Sequence, residues 1–102
     1  MKQLFAVVFS EGVKEDLRHL RAYDRRRLLD MIERQLPRTP NVATAQRKLL
    51  HNLVPPFEAV PPIWQLRVGG LRVFYDVSEE ERRVYVRAVR RKPAHLKTEE
   101  IL

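Results

Sequence analysis

The chain has 102 residues, 44% of them hydrophobic and 32% charged, with no cysteine, a net charge of +7 and a pI near 10.4. That mixture carries enough apolar surface to fold, so it excludes a disordered chain, and the missing cysteines exclude a disulfide scaffold or a thiolate zinc site. The length suits one domain over residues 1–102, and the excess of base directs attention to polyanionic partners.

In chain order, Leu4 to Phe9 (LFAVVF) is a β-rich apolar run expected to form a buried strand. It falls far short of the ~20 apolar residues of a membrane span. It also meets charged sequence at once, so neither a signal peptide nor a membrane partner is expected. Ser10 suits a helix N-cap, and Val13, Leu17 and Leu20 then share one helical face. Tyr23-Asp24 interrupts the pattern, with Asp24 a second N-cap candidate. Leu28, Met31, Ile32 and Gln35-Leu36 carry the stripe of a second helix, which Pro37 ends.

Residues 37–62 hold six of the seven prolines and read as a long connection, with one short helical turn around Ala45 to Leu50. Beyond Pro62 the period becomes two. Trp64, Leu66 and Val68 alternate with Gln65 and Arg67, and Gly69-Gly70 forms a hairpin turn. Leu71, Val73, Tyr75 and Val77 alternate with Arg72, Phe74 and Asp76. After an acidic turn, Arg82 to Val89 is a third strand, with Val84, Val86 and Ala88 towards the core and Arg83, Tyr85 and Arg87 away from it. The tail after Pro93 forms a short helix or stays mobile. The fold expected is therefore α+β, β-α-α-β-β-β, with an antiparallel sheet, both helices on one face and the other face free.

That free face would carry Gln65, Arg67, Arg72 and Arg87, with Arg90, Arg91 and Lys92 where the last strand runs out. Between Trp64 and Lys92 there are eight basic residues against four acidic ones. Guanidinium groups match phosphate oxygens in a planar, bidentate way, and the interleaved Phe74 and Tyr85 suit stacking on bases. Alternation alone leaves two readings open, a nucleic-acid surface and a solvated face of Arg–acid pairs. His19, His51 and His95 are isolated and no carboxylate pair has ligand spacing, so no metal or other cofactor is expected.

The string WQLRVGGLRVFYDVSEEERRVYVRAVRRK, with Lys48-Leu49 ahead of it, resembles the hairpin-plus-strand core of RelE/ParE-type toxins. The resemblance covers nearly the whole chain and rests on order and spacing more than on any one motif. It implies a cytoplasmic toxin paired with a cognate antitoxin. RelE-like members cut mRNA in the ribosomal A site, whereas ParE-like members poison DNA gyrase. On it, Arg72 matches the arginine at the scissile phosphate, Arg67 a neighbouring basic position, and Arg91-Lys92 the basic pair acting on developing charge. Two lysines of RelE fall on Ile63 and Gln65, and its C-terminal tyrosine near Thr98, with His95 close by as a substitute acid or base. The reading that follows is a ribosome-dependent, metal-independent mRNA endonuclease. Its RNA-binding residues would be Gln65, Phe74, Tyr85, Arg87 and Arg90, and its catalytic ones Arg67, Arg72, Arg91, Lys92 and His95. The alternatives are a gyrase inhibitor, or a non-toxic relative that only binds its antitoxin or nucleic acid. The sequence sets no oligomeric state.

Overall fold

The computed structural model describes residues 3–102. Strand β1 (Ala6–Phe9) comes from the first apolar run but is an edge strand rather than a buried one, with Ala6 and Val8 exposed. Ser10 caps helix α1 (Glu11–Arg18) by accepting from the Val13 N–H at 3.3 Å, and donates to the Arg87 carbonyl at 3.1 Å. One hydroxyl thus starts the helix and ties it to the sheet. Helix α2 (Ala22–Gln35) buries Leu28 and Ile32 and stops at Leu36, before Pro37. Its N-cap is Arg21, not Asp24. Asp24 instead sits in the first turn, where a carboxylate complements the helix dipole. Arg25 donates to the Leu17 and Leu20 carbonyls at 3.0 and 2.9 Å, tying α2 to the end of α1 and to the connection that follows it.

The expected helical turn around Ala45 to Leu50 is a strand, β2 (Arg47–Leu50), antiparallel to β3 (Ile63–Val68). Thr44 Oγ1 accepts from the Gln46 and Arg47 N–H groups, both at 3.2 Å, and this local turn launches β2. Pairing with β3 then satisfies the backbone groups along its inner side, an outcome no local propensity announces. Strands β3, β4 (Leu71–Ser78) and β5 (Arg83–Arg91) form the expected meander. The sheet order is β1-β5-β4-β3-β2, and β1 joins β5 in parallel, so the sheet is mixed rather than wholly antiparallel.

At the β3–β4 turn Gly69 adopts φ 59°, a left-handed conformation that a residue with a Cβ takes only under strain. A register shift in β5 matters more. Phe74 lies opposite Ala88 and Tyr75 opposite Val86, so Arg87 is an extra, bulged residue. Up to Val86 the faces follow the expected alternation. Beyond the bulge they exchange. Val89, not Ala88, packs in the core under the helices, and Ala88 turns to the opposite face.

The main core lies between the helices and the sheet, where Val13, Leu28, Ile32 and Leu36 meet Leu66, Val73, Tyr75, Val84 and Val86. The second face is not free, as the sequence reading expected. Ile63, Phe74 and Ala88 form a smaller buried cluster there. Leu50, Leu53, Phe57 and Ala59 cover it from one side, and Ile101 and Leu102 from the other. The connection over residues 51–62 is thus a strap across the sheet, and α3 (Thr98–Ile101) a C-terminal cover. The strap is held by the Val60 N–H, which donates to Asp76 Oδ2 at 3.2 Å. Upstream, Tyr75 Oη donates to the buried Pro40 carbonyl at 2.7 Å. The end of this face nearest the β3–β4 turn stays open. Among the described residues no helix is long and apolar enough to cross a membrane.

Candidate functional site

At that open end lies a cleft of about 260 Å³, walled by Lys48 of β2, Arg67 of β3, Arg72 of β4 and Lys92 just beyond β5, with Gln65 and Thr98 also lining it. Strand register explains the assembly. Lys48 stands opposite Gln65, and Arg67 directly opposite Arg72. The Lys92 N–H donates to the Gly70 carbonyl at 2.8 Å, which fixes Lys92 beside the hairpin turn.

Two guanidinium groups at directly paired positions repel one another. Arg72 registers this: partial burial first, and Arg67 second, hold its pKa below the ordinary arginine value. Its Nη1 donates to the Gly69 and Leu71 carbonyls, both at 2.9 Å, and Arg67 Nη2 reaches the Ala45 carbonyl at 3.5 Å. These are neutral acceptors. Among the described residues, no ion pair involves Lys48, Arg67, Arg72 or Lys92. Arg47 also lines the cleft but is buried and donates to the Thr39 carbonyl, so four cations face one narrow space without an ion-pair partner among the described residues. An anion entering it gains favourable Coulomb energy and relieves the Arg67–Arg72 repulsion.

The floor is neutral. Thr98 Oγ1 donates to Gln65 Oε1 at 3.0 Å, and both side chains are buried. This bond also clamps the C-terminal cover to β3.

Of the residues selected from sequence, the structure brings Gln65, Arg67, Arg72 and Lys92 together. The others lie elsewhere, for identifiable reasons. Phe74 is fully buried, its ring centroid 5.9 Å from that of Phe57, and presents no face to a base. Arg87 donates Nε and Nη2 to the two oxygens of Asp76 at 2.7 and 3.2 Å. The hydrogen bond to Asp76 is the main reason its pKa is raised, so this guanidinium is engaged internally. Tyr85 is at the far end of β5, under Arg87 and donating to Glu81 at 2.8 Å. Beyond the bulge, Arg90 pairs with Asp16 at 2.8 Å and Arg91 approaches Asp24 of α2 at 3.5 Å. Neither Arg90 nor Arg91 lines the cleft. His95 is exposed in an adjoining cleft and does not line this one.

Lys48 is the residue that sequence reasoning did not place in the site. Its signal was faint: in Arg47-Lys48-Leu49-Leu50 only Leu49, half-buried in the main core, marks which way the strand faces.

The arrangement can grip a phosphodiester and stabilise added negative charge on it. Its floor offers an amide and a hydroxyl rather than a proton carrier matched to neutral pH.

Comparison with known proteins bears on this geometry. Residues 7–92 match the family described as ParE toxin of type II toxin-antitoxin system, parDE. The chain is similar in structure to the toxin–antitoxin complex RelBE2 of Mycobacterium tuberculosis, with TM-score 0.70 and 19% identity over 87% of this chain and 99% of that one. It is similar to the archaeal RelE–RelB complex of Pyrococcus horikoshii, with TM-score 0.68 and 15% identity over 90% and 98%. It also resembles an arginine-substituted mutant of the Escherichia coli toxin RelE in the free state, with TM-score 0.60 and 25% identity over 87% and 83%. No curated protein sequence matches the chain.

Proposed function

This chain belongs to the ParE toxin family of type II toxin–antitoxin systems, within the RelE/ParE superfamily, and on that premise we propose that it is a ribosome-dependent mRNA endonuclease. The observation that carries the reading is the cleft walled by Lys48, Arg67, Arg72 and Lys92, none of them paired with a carboxylate among the described residues.

In the reaction the RNA 2′-hydroxyl attacks the adjacent phosphorus and the 5′-oxygen leaves. One P–O bond forms and one breaks, giving a 2′,3′-cyclic phosphate and a 5′-hydroxyl, with one proton lost from the 2′-oxygen and one gained by the leaving oxygen. Arg67 and Arg72 face the non-bridging oxygens and stabilise the phosphorane, and Lys92 neutralises charge as the bond breaks. Arginine, with a pKa above ~12, is a poor proton shuttle. Gln65 and Thr98 occupy the floor, so cleavage of free RNA is slow and the ribosome supplies substrate alignment. The toxin acts in the cytoplasm and is silenced by a cognate antitoxin whose acidic side chains neutralise the cleft.

The same neutral floor favours a second reading, gyrase inhibition without bond cleavage. Induction in a susceptible bacterium separates the two. The first requires rapid loss of amino-acid incorporation with ribosome-phased mRNA cuts, and an Arg72→Ala variant that folds but loses activity by about 10²–10³-fold. Arrest of thymidine incorporation with intact mRNA selects the second. Unimpaired growth refutes both.

A further inference from the structure

The cleft does not end blindly. Lys48, Lys92 and Thr98 line it and also line a second, adjoining cleft of about 440 Å³ that opens over the C-terminal segment. This second space adds His95 and Lys97 to the shared lysines, with Glu99 the acidic residue lining it. His95, Lys97 and Lys48 are all exposed there. Three lysines against one carboxylate leave it cationic, and Leu50 and Leu96 supply apolar wall. Its position is set by the fold. The Thr98–Gln65 bond fixes the C-terminal segment against β3, and the Glu100 side chain accepts from the Lys97 N–H at 2.8 Å. Lys97 is thereby held at the start of α3, on the side of the cover facing Lys48.

We infer that the bound single strand continues from the Arg67–Arg72 cleft between Lys48 and Lys92 into this second cleft, where Lys97 contacts the next phosphate and His95 packs on the neighbouring base. Two features select a single-stranded nucleic acid over a free phosphate. The clefts are contiguous and share their lysine boundary, as a repeating polyanion requires and a mononucleotide does not. An imidazole and apolar side chains beside the cations match a chain that alternates charge with flat rings. The inference rests on the nucleic-acid reading of the first cleft, but it assigns residues that the reading does not need.

The test is equilibrium binding of fully 2′-O-methylated, hence uncleavable, oligoribonucleotides of three to six nucleotides to the full chain, by fluorescence anisotropy across a salt titration. Each phosphate contact contributes about 0.7 to the slope of log K against log salt for a single strand. The wild-type slope should steepen as the strand lengthens. Lys97→Gln should remove that increment, lowering the slope by about 0.7, and weaken binding alike for all sequences. His95→Ala should weaken binding and leave the slope unchanged, since stacking is not electrostatic. Arg72→Ala should lower the slope at every length. If Arg72→Ala weakens binding while Lys97→Gln matches the wild type, the strand ends at the first cleft and the extension is wrong, although the first reading stands. Binding unchanged by Arg72→Ala, or absent at low salt, overturns the first reading and the extension with it. Equal binding of a duplex of the same length overturns the single-strand path.

Discussion

The Asp76–Arg87 pair gives a demanding test, because its burial decides between two very different magnitudes. An exposed pair contributes about 0–1 kcal/mol, whereas removing one partner of a buried pair costs about 3–5 kcal/mol. Here the two side chains retain 4% and 15% of their surface, and the carboxylate accepts from Arg87 Nε, Arg87 Nη2 and the Val60 N–H. Asp76→Ala strands a guanidinium and releases the strap at Val60. A loss of about 3–4 kcal/mol is expected, a large share of the ~5–15 kcal/mol that holds a domain folded. With a urea slope of about 1–2 kcal/mol per molar, the unfolding midpoint should fall by roughly 2 M. Arg87→Met should cost a similar amount. The double variant Asp76→Leu/Arg87→Met should recover most of the loss, since two apolar side chains replace two buried charges, giving a coupling of several kcal/mol in the cycle. A single-variant loss below about 1 kcal/mol, or additivity within about 0.5 kcal/mol, would refute the reasoning and return Arg87 to the pool of free arginines.

Thr98→Val leaves Gln65 Oε1 buried without its donor, so a loss of about 1–3 kcal/mol is expected, together with faster amide exchange over residues 98–101. Gly69→Ala must hold an alanine at φ 59°, with its Cβ 2.8 Å from the Arg27 guanidinium, a flexible group that can shift. The backbone should therefore dominate, at about 1–2 kcal/mol, read as a fall of some 4–8 °C in Tm per kcal/mol. Tyr75→Phe removes the donor to the Pro40 carbonyl, for about 1–2 kcal/mol by urea titration. Burial also raises the Tyr75 pKa well above the ordinary value. The neutral phenol is thus the favoured form in the folded state, and its contribution is complete below about pH 10 and lost as pH rises beyond it. Tyr75→Phe should flatten alkaline unfolding in that range, and an identical alkaline profile would remove Tyr75 as its cause.

Much of the fold is legible because its signals are local. Leu28 and Ile32 follow the helical period, Pro37 ends α2, and the Gly69-Gly70 turn sets the β3–β4 register. What stayed hidden depends on distant partners. Strand β2 is stabilised by β3 rather than by its own composition. The bulge at Arg87 is visible only in the pairing with β4. The strap did carry a trace: Leu53, Pro55, Phe57 and Ala59 are half-buried while Val54, Pro56, Glu58 and Val60 are exposed, a period of two that the prolines masked. For the candidate site, alternation along β3 and β4 placed Gln65, Arg67 and Arg72 on one face, and the structure does the same. It also put Phe74 and Arg87 on that face but not their partners, because a shared face does not reveal what covers it.

The bulge at Arg87 makes β5 a strand with two phases. Before it, odd-numbered side chains face away from the helices; after it, odd-numbered ones face towards them. One backbone therefore serves both cores, Val84, Val86 and Val89 in one and Ala88 in the other. Downstream, ordinary alternation separates Arg90 from Arg91, one guanidinium reaching Asp16 and the next Asp24. Removing Arg87 would close the bulge and leave Val86 and Val89 on the core face and Ala88 on the other, because the residue removed is the extra one. A one-codon deletion at that point would thus keep the strand's parity, and its damage would be local, the loss of the guanidinium that partners Asp76.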